Sequence, residues 1–152
     1  MNDSVLYLKA SLSDSFEIAA IEEECFSVPW SKKAVEGFIE NPLCTMLVAK
    51  VEEKIIGYIG LYIIADDCDI ANVAVTKSYR GQGIAISLIN LATEYAKNKE
   101  VTKMMLEVRE SNIPAIKLYE KLGFSTVGIR KNYYTQPKEN ALLMDKTITE
   151  QD

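Results

Sequence analysis

The passage from residue 69 to residue 98 constrains this chain most: an apolar stretch runs into a glycine-bearing turn, and the turn runs into a helical pattern. Ile70, Ala71, Val73, Ala74 and Val75 fall on both faces of a strand, as expected of a central strand covered on both sides. After the polar stretch 76–83, Ile84, Leu88, Leu91, Ala92 and Tyr95 recur at helical spacing, so a helix is expected over 83–98. The turn between them reads Arg80-Gly81-Gln82-Gly83-Ile84-Ala85. Glycines there let a ligand approach the backbone closely. Unpaired amide N–H groups at the positive end of a helix make an anion site suited to a pyrophosphate, and Arg80 can add a charge-assisted bond. Two familiar phosphate loops are excluded: the chain has no Gly-Lys pair for a Walker loop, and Ile86 stands where a dinucleotide fingerprint needs a small residue. An ordinary strand-to-helix turn would use the same glycines.

Elsewhere the pattern predicts a strand over 5–8 and a helix capped by Ser13 or Asp14 and running to about Cys25, with Phe16, Ala19, Ala20 and Cys25 as its apolar positions. A loop over 26–30 contains Pro29, and Ser31 caps a short helix ending near Asn41 and Pro42. Strands are expected over 45–51 and 54–64, joined by the turn Glu52-Glu53, and over 69–75, 103–108, 124–130 and 141–147. A helix over 112–122 stops at Gly123, and the connection through Tyr133, Tyr134 and Pro137 reads as longer than a tight hairpin turn. The order β-α-α-β-β-β-α-β-α-β-β describes a mixed α/β fold with one sheet, in one domain over 1–148 and a loose polar tail over 149–152.

Composition removes several function classes. A chain of 152 residues buries roughly two thirds of its unfolded surface and needs no disulfide or metal to hold a core. The formal net charge of −5 argues against coating nucleic acid and suits a basic partner or a cationic amine. Cys25, Cys44 and Cys68 are odd in number and never at C-x-x-C spacing, which points to free thiols and a reducing cytosol. Met1-Asn2-Asp3-Ser4 has no signal character, and no run of about 18 apolar residues offers a membrane span. The absence of histidine excludes every histidine-based triad or metal site, so proton transfer falls to Glu, Asp, Tyr, Lys, Cys or water.

A second segment carries chemistry. Leu106-Glu107-Val108-Arg109-Glu110-Ser111-Asn112 leads from strand to helix, and Asn112 and Tyr119 share one helix face. A carboxylate, an amide and a phenol could thus converge on one cleft. The plainer readings are a Glu107 paired with a cation, a Tyr119 in the core with its hydroxyl at the rim, and an Asn112 that caps its helix.

The turn at Arg80 matches [QR]-x-x-G-x-[GA], and Glu107-Val108-Arg109-x-Ser111-Asn112 with Ala115-Ile116-x-Leu118-Tyr119-x-x-Leu122-Gly123-Phe124 follows it. Together these resemble the Gcn5-related N-acetyltransferases (GNAT). Pro29-Trp30-Ser31 and Arg130-Lys131-Asn132-Tyr133-Tyr134 resemble, more narrowly, the bacterial branch that acetylates ribosomal-protein alanine (RimI type). The resemblance spans essentially the whole chain. It implies the acyl-CoA N-acyltransferase fold, a mostly antiparallel central sheet flanked by helices. It also implies acetyl-coenzyme A as co-substrate, without a metal. The pantetheine arm would pair with backbone at Val73, Ala74 and Val75, and the pyrophosphate with Arg80, Gly81, Gln82, Gly83, Ile84, Ala85 and Ile86, with Asn112 also on the cofactor. Glu107 would accept a proton and Tyr119 donate one. Phe26, Pro29, Trp30, Tyr133 and Tyr134 would receive the acceptor, the N-terminus of a basic, ribosomal protein; the plainer reading of Phe26 and Trp30 is that they plug the core. Neither nucleic acid nor membrane is an expected partner. An α-amine has a pKa of ~8, a lysine ~10.4, a thiol ~8.5 and a phenol ~10, so a modest base and a phenolic donor suffice for direct transfer in a ternary complex. The competing acceptors are lysine and small amines such as polyamines or antibiotics. A non-catalytic acetyl-CoA-binding module would not need both Glu107 and Tyr119.

Overall fold

The structure is a computed structural model that describes residues 4–148; the tail at 149–152 lies outside the described residues. Its strands are β1 (Val5–Lys9), β2 (Cys44–Val51), β3 (Lys54–Ile64), β4 (Asp67–Val75), β5 (Lys103–Arg109), β6 (Ser125–Thr135) and β7 (Lys138–Thr147). Its helices are α1 (Ser15–Cys25), α2 (Lys32–Glu40), α3 (Ile84–Asn98) and α4 (Ile113–Lys121). The strands form one sheet in the order β1-β2-β3-β4-β5-β7-β6, antiparallel everywhere except between β4 and β5. This is the mixed α/β order that the sequence predicts.

Helices cover both faces of the sheet. On β2, Met46 and Val48 pack with Ile18, Ile21 and Val35 of α1 and α2, while the alternating Leu47, Ala49 and Val51 pack with Ile84, Leu88, Ile116 and Tyr119 of α3 and α4. Two-sided burial makes β2 and β3 nearly continuous apolar runs. Fully burying one such Val, Leu or Ile side chain contributes about 1.5–3 kcal/mol. Ser31 caps α2 by accepting from the Ala34 N–H at 3.1 Å, and Gly123 ends α4 at φ +100°.

Two expectations are corrected. The buried stripe of α1 is Ser15, Ile18, Ile21 and Glu22, whereas Phe16 is 72% exposed and Ala20 lies outside. An ionisable residue inside the stripe shifts the apparent phase of the apolar pattern. The connection from β6 to β7 is a tight hairpin, because β6 continues to Thr135 and β7 starts at Lys138. Its ladder jumps from Arg130↔Ala141 to Tyr134↔Glu139, and Asn132, at φ 55°, lies in that bulge. The strand preference of Tyr133, Tyr134 and Thr135 is kept by bulging one strand and not by ending it.

Two irregularities in β4 make the site. Ala71 is an extra residue opposite β3, since Gly60 pairs with Asn72 and Leu61 with Ile70. A one-residue bulge exchanges faces. Ile70 packs on the α3 side, and beyond the bulge Ala74 packs with α1 while Val73 and Val75 pack on the α3 side. The parallel ladder with β5 runs only from Asp67↔Lys103 to Asp69↔Met105, after which the two strands part. Ala71, Asn72 and Val73 are therefore not enclosed as a central strand would be, despite an apolar sequence.

Candidate active site

Where β4 and β5 part, a cleft of about 960 Å³ passes through the sheet, at the upper end of ligand-pocket sizes of roughly 300–1,000 Å³. One wall is β4 from Ile70 to Val75, and the other is β5 from Leu106 to Arg109 with Asn112 and with Ala115, Leu118 and Tyr119 of α4. Phe26 and Trp30 line it from the 26–30 loop, Tyr133 and Tyr134 from β6, and Arg80, Gly81 and Ala85 from the segment that leads into α3. A smaller cavity of about 210 Å³ shares Arg80, Gly81 and Ala85 and is also lined by Gly83, Ile84 and Ile86. Nearly all the residues singled out in the sequence are thus brought together; Gln82 and Pro29 are exposed and line neither space.

The turn before α3 presents open glycines and unpaired helix amides. Gly81 and Gly83 hold φ +78° and +79°, and a Cβ at either would meet nothing within 4 Å. The first bond of α3 is Ser87 N–H to Gly83 O at 3.0 Å, so the amides of Ile84, Ala85 and Ile86 have no acceptor within the helix and carry its positive end. Arg80 lines this end too, but its guanidinium is engaged elsewhere. Its Nε donates to Val75 O at 3.0 Å and its Nη2 lies 3.2 Å from Cys25 Sγ, folding it back onto the end of β4. Burial raises the Cys25 thiol above its ordinary range, against the opposing pull of Arg80.

Glu107 and Tyr119 have different surroundings. Glu107 Oε2 accepts from Arg130 Nε at 2.8 Å in a partly exposed ion pair. Tyr119 is 8% exposed, packs edge-on against Phe124 with centroids 6.0 Å apart, and is pushed up to about 12, chiefly by burial. It therefore stays a neutral phenol across the physiological range. Tyr134 is also raised to about 12, by burial first and then by the neighbouring Tyr133 and Glu107. Asn112 does cap α4, its Oδ1 accepting from the Ala115 N–H at 3.3 Å, while also lining the cleft.

Sequence reasoning missed a buried carboxylate that holds residues lining the cleft. Glu22 is fully buried, and accepts from Trp30 N–H at 2.9 Å, from Asn72 Nδ2 at 2.7 Å and from the Tyr58 hydroxyl. Burial raises it above the ordinary carboxyl range, with the Trp30 and Asn72 donors pulling the other way. It joins α1, the loop over 26–30 and the residue after the β4 bulge. The available signal was spacing: Ile18, Ile21, Glu22 and Cys25 fall at i, i+3, i+4 and i+7.

Comparison with known proteins agrees with this geometry. The model of the acetyltransferase (GNAT) family matches residues 16–124. A Bacillus subtilis (strain 168) relative, whose name assigns it [ribosomal protein bS18]-alanine N-acetyltransferase activity provisionally, is 41% identical over 140 residues, covering 91% of this chain and 93% of its own. The [ribosomal protein bS18]-alanine N-acetyltransferase of Escherichia coli (strain K12) is 33% identical over 133 residues, covering 85% and 88%. The crystal structure of the ribosomal-protein-S18-alanine N-acetyltransferase from Escherichia coli superposes with a TM-score of 0.90 at 28% identity, over 96% of this chain and 95% of that one. With its parted β4 and β5, its glycine-bearing turn and a family match over most of its length, this chain belongs to the acetyltransferase (GNAT) family.

Proposed function

We propose that this protein transfers the acetyl group of acetyl-coenzyme A to the α-amine of an N-terminal alanine on a small-subunit ribosomal protein, by direct attack in a ternary complex. The observation that carries this reading is the open edge of β4, which leads from the glycine-bearing turn into a cleft lined by both Glu107 and Tyr119. The residues present suit acetyl-coenzyme A. Gly81, Gly83 and the amides of Ile84, Ala85 and Ile86 would hold the pyrophosphate, and the edge at Val73 and Ala74 would pair with the pantetheine arm like an added strand. Val75 O is engaged by Arg80 Nε and Cys25 Sγ, so pairing there would require Arg80 to turn away.

The acceptor enters between Phe26 and Trp30 on one side and Tyr133 and Tyr134 on the other. The ribosomal-protein acceptor is supported by the names of the relatives, and the net charge of −5 suits a basic partner. An ammonium cannot attack a thioester, so one proton must leave first. Arg130 holds Glu107 Oε2, leaving Oε1 to take that proton, directly or through one water. Tyr119 donates to the departing sulfur. Complete transfer from a phenol at about 12 to a thiolate at ~8.5 is uphill by about 5 kcal/mol. Its first contribution is therefore a hydrogen bond that strengthens as charge develops on sulfur.

Mass spectrometry of reactions with acetyl-coenzyme A tests the reading on a peptide with a free N-terminal alanine and no lysine, a blocked peptide with one lysine, and a polyamine. The expected product is a single acetyl on the alanine α-amine. Preference for the lysine peptide or the polyamine replaces the acceptor and keeps the transferase. Binding of acetyl-coenzyme A without transfer to any of them contradicts catalysis.

A further inference from the structure

Arg109 ends β5 on the same strand face as Glu107, two residues on, while the alternating Leu106 and Val108 point into the core. Its guanidinium makes no use of that core. Nη1 donates to Pro137 O at 2.9 Å and pairs with Glu139 Oε1 at 3.1 Å, and Nη2 donates to Gln136 O at 3.0 Å and to Ser27 Oγ at 3.4 Å. The fork also lies over the Tyr134 ring, 4.3 Å from its centroid. Ser27 Oγ donates to Gln136 O, which closes a contact between two segments 109 residues apart in sequence. Glu139 is itself anchored, its Oε2 accepting from the Ser111 N–H at 2.6 Å. Ser27 belongs to the 26–30 loop that lines the cleft, and Gln136 and Pro137 form the β6–β7 turn directly after Thr135, which also lines it.

We propose that Arg109 is a positioning residue of the acceptor site: its fork straps the 26–30 loop to the β6–β7 turn and fixes Tyr134 beside Glu107. The inference rests on the reading of this cleft as an acetyl-acceptor site. A planar fork of five donors is required, because one side chain must reach two carbonyls, a hydroxyl and a carboxylate while stacking on a ring; a lysine carries the charge without that geometry. The strap lies on the acceptor rim and leaves the glycine-bearing turn untouched, so its loss acts on the acceptor and spares the co-substrate.

The test is steady-state kinetics on Arg109→Ala, Arg109→Lys and Ser27→Ala, using whichever of the three acceptors above the wild type turns over best. Acetyl-coenzyme A affinity is measured by calorimetry and melting temperature in parallel. The expected result is a loss of roughly 10- to 100-fold in kcat/KM for the acceptor in both Arg109 variants, a smaller loss in Ser27→Ala, and acetyl-coenzyme A affinity within about twofold of wild type. An unchanged acceptor kcat/KM, full rescue by lysine, or an equal loss of acetyl-coenzyme A affinity overturns the assignment. If Arg109→Ala does not fold, Arg109→Lys and Ser27→Ala decide. A wild type that prefers lysine or polyamine counts against the alanine acceptor only, because the Arg109 comparison proceeds on that acceptor.

Discussion

Glu107 and Tyr119 line one cleft from opposite faces of the sheet. Tyr119 belongs to the core beneath α3 and α4, whereas Glu107 alternates with Leu106 and Val108 and so points to the other face. They meet only because β4 and β5 part after Asp69↔Met105. Under the proposed function, this separation would put a base on the side where the amine arrives and a phenol on the side where the thiolate leaves.

Tyr119→Phe is expected to lower kcat by ~10²-fold while acetyl-coenzyme A binding is largely kept, since it removes a donor and little surface. Single-turnover kinetics with calorimetry on the same preparation check it. Full activity in the Phe variant would confine Tyr119 to the core.

The same residue has a stability signature. Its folded pKa is raised from 10.0 to about 12, so its neutral form is favoured in the native state. That contribution is fully present below pH ~10 and is lost as pH rises toward ~12, amounting to about 3 kcal/mol for a shift of two units. Urea unfolding of wild type and Tyr119→Phe is expected to show a constant difference from pH 7 to 9. Above pH ~10 the difference moves in favour of the Phe variant.

Gly83→Val is expected to abolish acetyl-coenzyme A binding. At φ +79° a β-branched residue is strained, and its side chain points into the open space before α3. Calorimetric titration checks it, and wild-type affinity in a folded variant would move the phosphate site elsewhere.

Glu22→Gln replaces an acceptor of three hydrogen bonds by a group with one acceptor oxygen. Bonds to buried charged groups are worth about 1.5–3 kcal/mol each, so a stability loss of about 2–3 kcal/mol is expected, together with a higher acceptor KM as Trp30 loses its anchor. Denaturant unfolding measures the first and steady-state kinetics the second.

Much of this was legible in the sequence. The order of strands and helices followed from period and caps, as at Ser31 and Gly123, because local chemistry decides those positions. The turn at Gly81 and Gly83 and the Glu107–Tyr119 segment stood out by motif, and both reach the cleft. What stayed hidden depends on tertiary partners. The hydrogen-bond partners of Glu22, Tyr58 and Asn72, come to it only in the fold. Asn72 reaches it only because the bulge at Ala71 turns the strand. The parting of β4 from β5 has no local signature, since an apolar strand that binds a ligand along its edge looks like one that pairs with another strand. Arg109 looked like part of a motif, and its role lies in segments far away in sequence.

The most direct test of the central claim is the pH–rate profile of wild type and Glu107→Gln on the peptide with a free N-terminal alanine. If Glu107 deprotonates an α-amine, the deficit of the Gln variant is large near neutral pH and shrinks as pH passes ~8, where the free amine forms unaided. An equal deficit at every pH would contradict the account and leave Glu107 a binding or structural role.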